Sequence, residues 1–343
     1  MRNLGIPSVS VDGDGADEAT ATTQPGCAVA ARLLRGTPAG TATHMTSWLL
    51  IEQPGPWPAD ALQRTLAGVF PAGRLDSPTS KGLRPLLIRR PGRPRKKASR
   101  TVFVGAGLPG NRWLEQLDHA DLATLDLDAV ADGRPGHGEP VSGPLLLVCT
   151  HGAKDMCCAI LGRPVAAALA ETHPNRTWEV SHVGGDRWAG NLLVVPDGFM
   201  HGQLEPTAAE LIAKAAVHGQ VEPDQLRGRT SAATPWTQYA EIALRQHTGL
   251  RGLDDVLATH ERPVSPVEDD VRVVTLRGGD RRYEVTVRRT RPAEAVPSRC
   301  SGRIAPASFQ AETIRPLAIK YAQASGERSI SAGLHGANAA SAT

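Results

Sequence analysis

Strand-length apolar runs alternate with segments of helical periodicity along most of the chain. That pattern predicts an α/β fold, a mixed sheet with helices on both faces. The alternation occurs in both halves, so a related α/β region is expected ahead of the more strongly marked second one. Near the C-terminal end, two stretches of alternating apolar and polar residues flank Gly278-Gly279-Asp280, the signature of a β-hairpin.

Taken in order, residues 1–25 are rich in Asp, Gly, Ala and Thr, lack periodicity and are expected to be disordered. An N-terminal α/β region then spans 26–140. Its first strand is the apolar run 48–52, ended by Pro54-Gly55-Pro56. Ala61, Leu62, Leu66, Val69 and Phe70 fall at helical spacing and predict a helix over 60–70. Residues 86–88 and 101–104 read as strands, and 122–130 as a weak helix or turn. Residues 89–100 hold seven Lys or Arg and two Pro. They read as a solvated basic loop or, more sharply, as a docking surface for an acidic redox partner.

The second region spans 141–300. The continuous apolar run 144–148 suits a strand buried on both faces and leads directly into Cys149. A helix is predicted over 163–172, with Pro164 in its first turn. Strands over 178–180 and 192–195 follow, then helices over 208–217 and 236–247, then the hairpin strands 270–276 and 282–288. Residues 301–343 end in a Ser-, Ala- and Gly-rich stretch and are expected to be a mobile tail.

Composition narrows the function. The chain has 343 residues, 41% of them hydrophobic, enough for a sizeable core. A net charge of +3 and an aromatic content of 4% argue against nucleic acid as partner. No apolar run approaches the roughly 18 residues that span a bilayer, so no membrane association is expected. The polar N-terminus lacks the apolar segment of a signal peptide, which makes the cytoplasm the expected compartment. Thiols stay reduced there, so Cys27, Cys149, Cys157, Cys158 and Cys300 read first as metal or redox groups.

The chemistry concentrates in two segments. One runs from Cys149 through Thr150, His151, Gly152 and Asp155 to Cys157 and Cys158. The other carries Ser181, His182, Gly184, Gly185, Asp186, Arg187, Trp188 and Asn191. Two thiols at the ends of one loop, nine positions apart, can converge on a point, and thiolates with imidazole there select iron–sulfur iron or zinc. His182 and Asp186 both lie in the second loop and can face the first. A vicinal cysteine pair can equally be two ordinary buried residues, and a histidine beside glycines a simple loop donor.

The motif Cys-Thr-His-Gly-x-x-Asp-x-Cys-Cys-Ala-x-x-Gly-Arg-Pro is followed by Trp-Glu-x-Ser-His-x-Gly-Gly-Asp-Arg-Trp-Ala-x-Asn. Together they resemble the sucrase/ferredoxin-like family, which is similar to thioredoxin-like 2Fe–2S ferredoxins. The likeness extends over roughly residues 25–300 and implies a thioredoxin-like sheet in the second region. It implies a 2Fe–2S cluster held by two cysteines and two histidines. The cysteines fall on Cys149 and Cys158 and the first histidine on His182; the second histidine position holds Asp186. Either Asp186 or Cys157 then supplies the fourth ligand, or no intact cluster forms. Asp186 in place of imidazole would add negative charge and lower the reduction potential.

The implied function is one-electron transfer to an unidentified redox partner protein, without a substrate of its own. Thr150, Arg187 and the N–H groups of Gly184 and Gly185 are candidate donors to the cluster. A thiol–disulfide protein using Cys149 with Cys157 or Cys158 is the competing reading, weakened by the missing Cys-x-x-Cys. A zinc-binding or non-catalytic module is a third. Nothing marks the carboxyl pair of a glycoside hydrolase.

Overall fold

The computed structural model describes residues 26–92, 100–291, 296–299, 302–304 and 307–318. The expected disorder of 1–25, most of the basic run and the end of the tail lie outside them.

A ten-stranded mixed sheet organises most of the chain. Its strands are β1 (Ser47–Glu52), β2 (Leu83–Arg89), β3 (Thr101–Leu108), β4 (Asn111–Asp118), β5 (Glu139–Pro140), β6 (Leu145–Cys149), β7 (Thr177–Val180), β8 (Leu192–Val195), β9 (Phe199–His201) and β10 (Leu226–Arg229). The order is β10-β9-β8-β6-β7-β2-β1-β3-β4-β5. In the first half, β1 is parallel to β2 and antiparallel to β3, which pairs with β4. In the second half, β6 is parallel to β7 and antiparallel to β8, which pairs with β9. The two halves therefore repeat one strand–crossover–strand–strand–strand unit, a duplication too divergent to read from residues. They join through the antiparallel pair β2–β7, with Ile88 opposite Val180.

Each parallel pair needs a crossover, and helices supply it. Helices α1 (Cys27–Leu33), α2 (Ala61–Ala67), α3 (Asp76–Ser80), α4 (Leu127–Ala131), α5 (Met156–Thr172) and α6 (Pro206–Val217) surround the sheet. Side chains alternate between faces along each strand. Leu49, Ile51, Leu87, Val102 and Val104 pack with residues of α2 and α4, and Leu146, Val148, Leu192 and Val194 pack with residues of α5 and α6. The alternate residues, including Trp48, Leu50, Ile88, Leu147, Trp178 and Val180, form one core on the opposite face of both halves.

That inner face closes mainly on itself. Between β3 and β8 lie five strand spacings, about 24 Å if the sheet were flat. Yet a Cβ on Gly107 of β3 would fall 2.5 Å from the carbonyl oxygen of Pro196, just beyond β8. The sheet is curled, so the helices divide unevenly: those of the crossovers lie outside, and α1 contributes Cys27 and Ala28 to the inner core.

The C-terminal hairpin is the centre of a larger element. Strands β11 (Val256–Pro263), β12 (Val271–Gly278), β13 (Arg281–Thr290) and, after the two-stranded β14 (Val296–Arg299) and β15 (Gly302–Ile304), β16 (Ser308–Pro316) form an antiparallel sheet in the order β11-β12-β13-β16. Helix α7 (Pro235–Thr248) lies across it, with Trp236, Ala240 and Leu244 against Val274, Leu276, Val285 and Phe309. Residues 308–316, placed in a mobile tail by their composition, are ordered as the strand beside β13.

Helix α5 also differs from expectation. It begins at Met156, ahead of the predicted start at Arg163, because Asp155 caps it: Oδ1 accepts the Cys157 N–H at 2.9 Å. Pro164 is inside the helix, and Cys157 and Cys158 lie within its first turn instead of before it.

Candidate metal centre

Three of the expected ligands meet. Cys149 is the last residue of β6, Cys158 is in the first turn of α5, and His182 follows β7 by two residues. The parallel register that sets Cys149 beside Val180 brings the two loops to one end of the sheet. The Cys149 and Cys158 sulfurs and a His182 ring nitrogen all lie within 4.8 Å of one another. Gly162 allows this closeness. A Cβ there would stand 2.1 Å from the Cys149 carbonyl oxygen, so α5 rests directly on the end of β6.

The charges within the group are uneven. The Cys158 thiol donates to Cys149 and holds the latter well below the usual thiol range, against the effect of burial and with further help from His182. Cys158 is pushed upward by the same neighbour and by burial. Within the pair a proton is therefore held more readily by Cys158 than by Cys149. Burial disfavours a charged His182, but Cys149 and Asp186 outweigh it and raise its pKa. Asp186 Oδ1 lies 3.1 Å from His182 Nε2, while Nδ1 is buried with no hydrogen-bond partner. Two soft thiols and an imidazole with an unsatisfied nitrogen fit an iron–sulfur or zinc donor set.

Neighbouring groups fix the loops. Gly184 and Gly185 take φ of 87° and 81°, turning the chain after His182 where side chains are disfavoured. The fully buried Arg227 donates from Nη1 to the Gly184 carbonyl and to Asn191 Oδ1, both at 2.8 Å. Asn191 in turn donates to the Gly185 carbonyl. Burial is the chief cause that lowers the pKa of the His151 ring. Its Nε2 bonds the Pro58 carbonyl at 3.0 Å and its Nδ1 accepts the His182 N–H. Thr150 donates to Glu179 at 2.8 Å, and Glu179 is paired with Arg89. The other basic residue described at the start of the basic run, Arg90, lies over the Trp178 ring at 3.7 Å.

Cys157 does not join this group. It faces Cys27 and Asp155, whose ligand atoms with its own sulfur lie within 4.8 Å of one another. Cys300 lies outside the described residues. Sequence reasoning missed the second group, and it missed Arg227 and His151. The signals present were an Asp two residues before Cys157, at a helix start, and two arginines within the short strand β10.

Two curated relatives, both named altered inheritance of mitochondria protein 32, match in part. The one from Meyerozyma guilliermondii is 26% identical over 106 residues, 28% of this chain and 38% of its own length. The one from Candida glabrata is 29% identical over 101 residues, 25% of this chain and 32% of its own length. The chain therefore spans well under half the length of either. No solved structure matches. No helix among the described residues is long and apolar enough to cross a membrane. Residues 38–228, more than half of the chain and including both metal-centre loops, match the sucrase/ferredoxin-like model, and the chain belongs to that family.

Proposed function

We propose that this chain is a one-electron carrier of the thioredoxin-like 2Fe–2S ferredoxin type. Its cluster is held by Cys149, Cys158, His182 and Asp186. The observation that carries this reading is the convergence of the first three donors within 4.8 Å at one end of the sheet. A 2Fe–2S cluster takes four protein ligands. Cys157 is engaged with Cys27, and the fourth ligand proposed is Asp186, whose carboxylate lies 3.1 Å from His182 Nε2 but outside the convergent group of three. The cluster, when bound, supplies reversible one-electron reduction of iron with no bond made to a substrate.

The chain's own residues do the rest. Cys149 and Cys158 are fully buried, which keeps water away from the sulfurs. Arg227 and Asn191 hold the His182 loop in place, so the donors need little rearrangement. The anionic Asp186, where the family pattern has an imidazole, lowers the potential relative to a two-histidine site. The electron is exchanged with a redox partner protein. A compartment that keeps thiols reduced suits Cys149 and Cys158, which form no disulfide: the cytoplasm, or a mitochondrial setting by analogy with the relatives' names.

The test is iron and acid-labile sulfide analysis with an electron paramagnetic resonance spectrum of the reduced protein. Two iron and two sulfide per chain are expected. Asp186→Ala should lose most of the iron, and Cys157→Ser should keep it. Colourless protein containing zinc alone would overturn the assignment. The thiol–disulfide alternative is disfavoured because a fully buried Cys149 cannot meet the disulfide of another protein.

A further inference from the structure

Cys27, Asp155 and Cys157 are not used by the proposed cluster, yet they form a second convergent donor set. Cys27 is 1% exposed, Asp155 4% and Cys157 6%. The Cys27 and Cys157 sulfurs are 3.6 Å apart, and Cys27 Sγ is 4.0 Å from Asp155 Oδ2. Around tetrahedral zinc, with Zn–S of about 2.3 Å and Zn–O of about 2.1 Å, the S–S edge is about 3.8 Å and the S–O edge about 3.6 Å. The S–S separation is close to its edge, the S–O separation is somewhat longer than its own, and both would close on an ion with a small shift; the sulfurs are far from the roughly 2.05 Å of a disulfide.

Two further features fit an ion. The Asp155 carboxylate is locked by its capping role, with Oδ1 on the Cys157 N–H, so Oδ2 is held toward Cys27. Gly26, at the start of α1, leaves room for the Cys157 sulfur, which lies 3.1 Å from where its Cβ would be. The charge also suits a cation: two thiolates and a carboxylate carry three negative charges, a divalent ion removes two, and the buried guanidinium of Arg187 interacts electrostatically with Cys27.

We propose that Cys27, Asp155 and Cys157 form a second metal site, separate from Cys149, Cys158 and His182, that binds one zinc ion. Zinc is favoured because two thiolates with one carboxylate suit a borderline-soft ion that takes four ligands. On binding, the Cys27 and Cys157 thiols each form an S–Zn bond and each release one proton to solvent; no electron is transferred. The ion would join α1 to α5 across 130 residues of sequence, making the site structural.

The experiment uses the full chain, freed of metal by chelation under reducing conditions and then loaded with zinc. Zinc is counted with iron and sulfide on the same samples prepared with and without cluster reconstitution. Cys149→Ser should lose the iron and keep one tightly held zinc. Cys27→Ser should lose that zinc and keep at least four fifths of the iron. Asp155→Asn preserves the helix cap and should weaken zinc binding at least tenfold; it carries the test if Cys27→Ser does not fold. Equal zinc retention by wild type, Cys27→Ser and Asp155→Asn overturns the site. So does a Cys27–Cys157 disulfide found by mass spectrometry of unreduced protein. Wild type that holds the zinc but takes up no iron or sulfide on reconstitution would instead strike at the cluster, so the two readings fail separately.

Discussion

The two repeated units of the large sheet share a strand order and differ in what stands at their strand ends. In the first, β1 ends at Glu52, whose carboxylate accepts the Thr101 N–H, and the crossover opens with Pro54, Pro56, Trp57 and Pro58. In the second, β6 ends at Cys149 and the crossover opens with Thr150 and His151 and enters a capped helix. The first unit supplies the wall and the second the donors: Pro58 accepts from His151, and Trp57 meets the same ring edge-on at 5.8 Å. A repeated frame has thus been specialised by its loops, while the shared core stays common to both units.

The largest expected effect separates the units by metal content. Cys158→Ser should reduce bound iron to less than about a tenth, since one of four ligands is lost, while Glu52→Gln should leave it unchanged. Iron loss in both would make the contrast between the units meaningless.

Stability should show no such contrast. Leu50 and Leu147 are fully buried in the same inner core. Leu50→Ala and Leu147→Ala should each cost about 2–5 kcal/mol in urea unfolding, with a single transition. Two transitions, each moved by only one substitution, would show that the units unfold independently.

A third effect depends on pH and belongs to the second unit alone. Burial raises the Asp197 pKa to about 6 and lowers that of His201 to about 4. As pH rises from about 4 to 6, the folded state loses stability through ionising Asp197 and gains it through the neutral His201. The two nearly cancel, each being worth roughly 3 kcal/mol over its shift. Asp197→Asn removes the opposing term, so stability should then climb with pH across this window and level off above about 6.5. A flat profile in the variant would refute the assignment.

The smallest effect is local. Thr150→Val removes the hydrogen bond to Glu179 and leaves that carboxylate paired with Arg89. It should cost about 1 kcal/mol by thermal unfolding.

Much of this was legible in the sequence. Apolar runs marked β1, β2, β3, β6, β7 and β8 because strands buried on both faces leave long hydrophobic stretches. Strand β4 was hidden, since Arg112, Glu115 and Gln116 interrupt its pattern. Helix α5 was dated too late because Pro164 suggested a first turn, whereas Asp155 provided the cap. That Cys149, Cys158 and His182 would lie together was legible from the two motifs and the family resemblance they carry. The partition of Cys157 away from them was not, because it depends on a helix turn pointing adjacent residues in different directions. Cys27 is remote in sequence, and only the fold brings it to Asp155.

Gly162 has a consequence for how such a centre tolerates change. It carries no functional group, yet its bare backbone sets the distance between the strand bearing one sulfur and the helix bearing the other. Any side chain there would pry the helix from the strand end. The spacing of the two sulfurs is thus governed by a residue that offers no donor of its own, acting purely as a spacer of zero thickness.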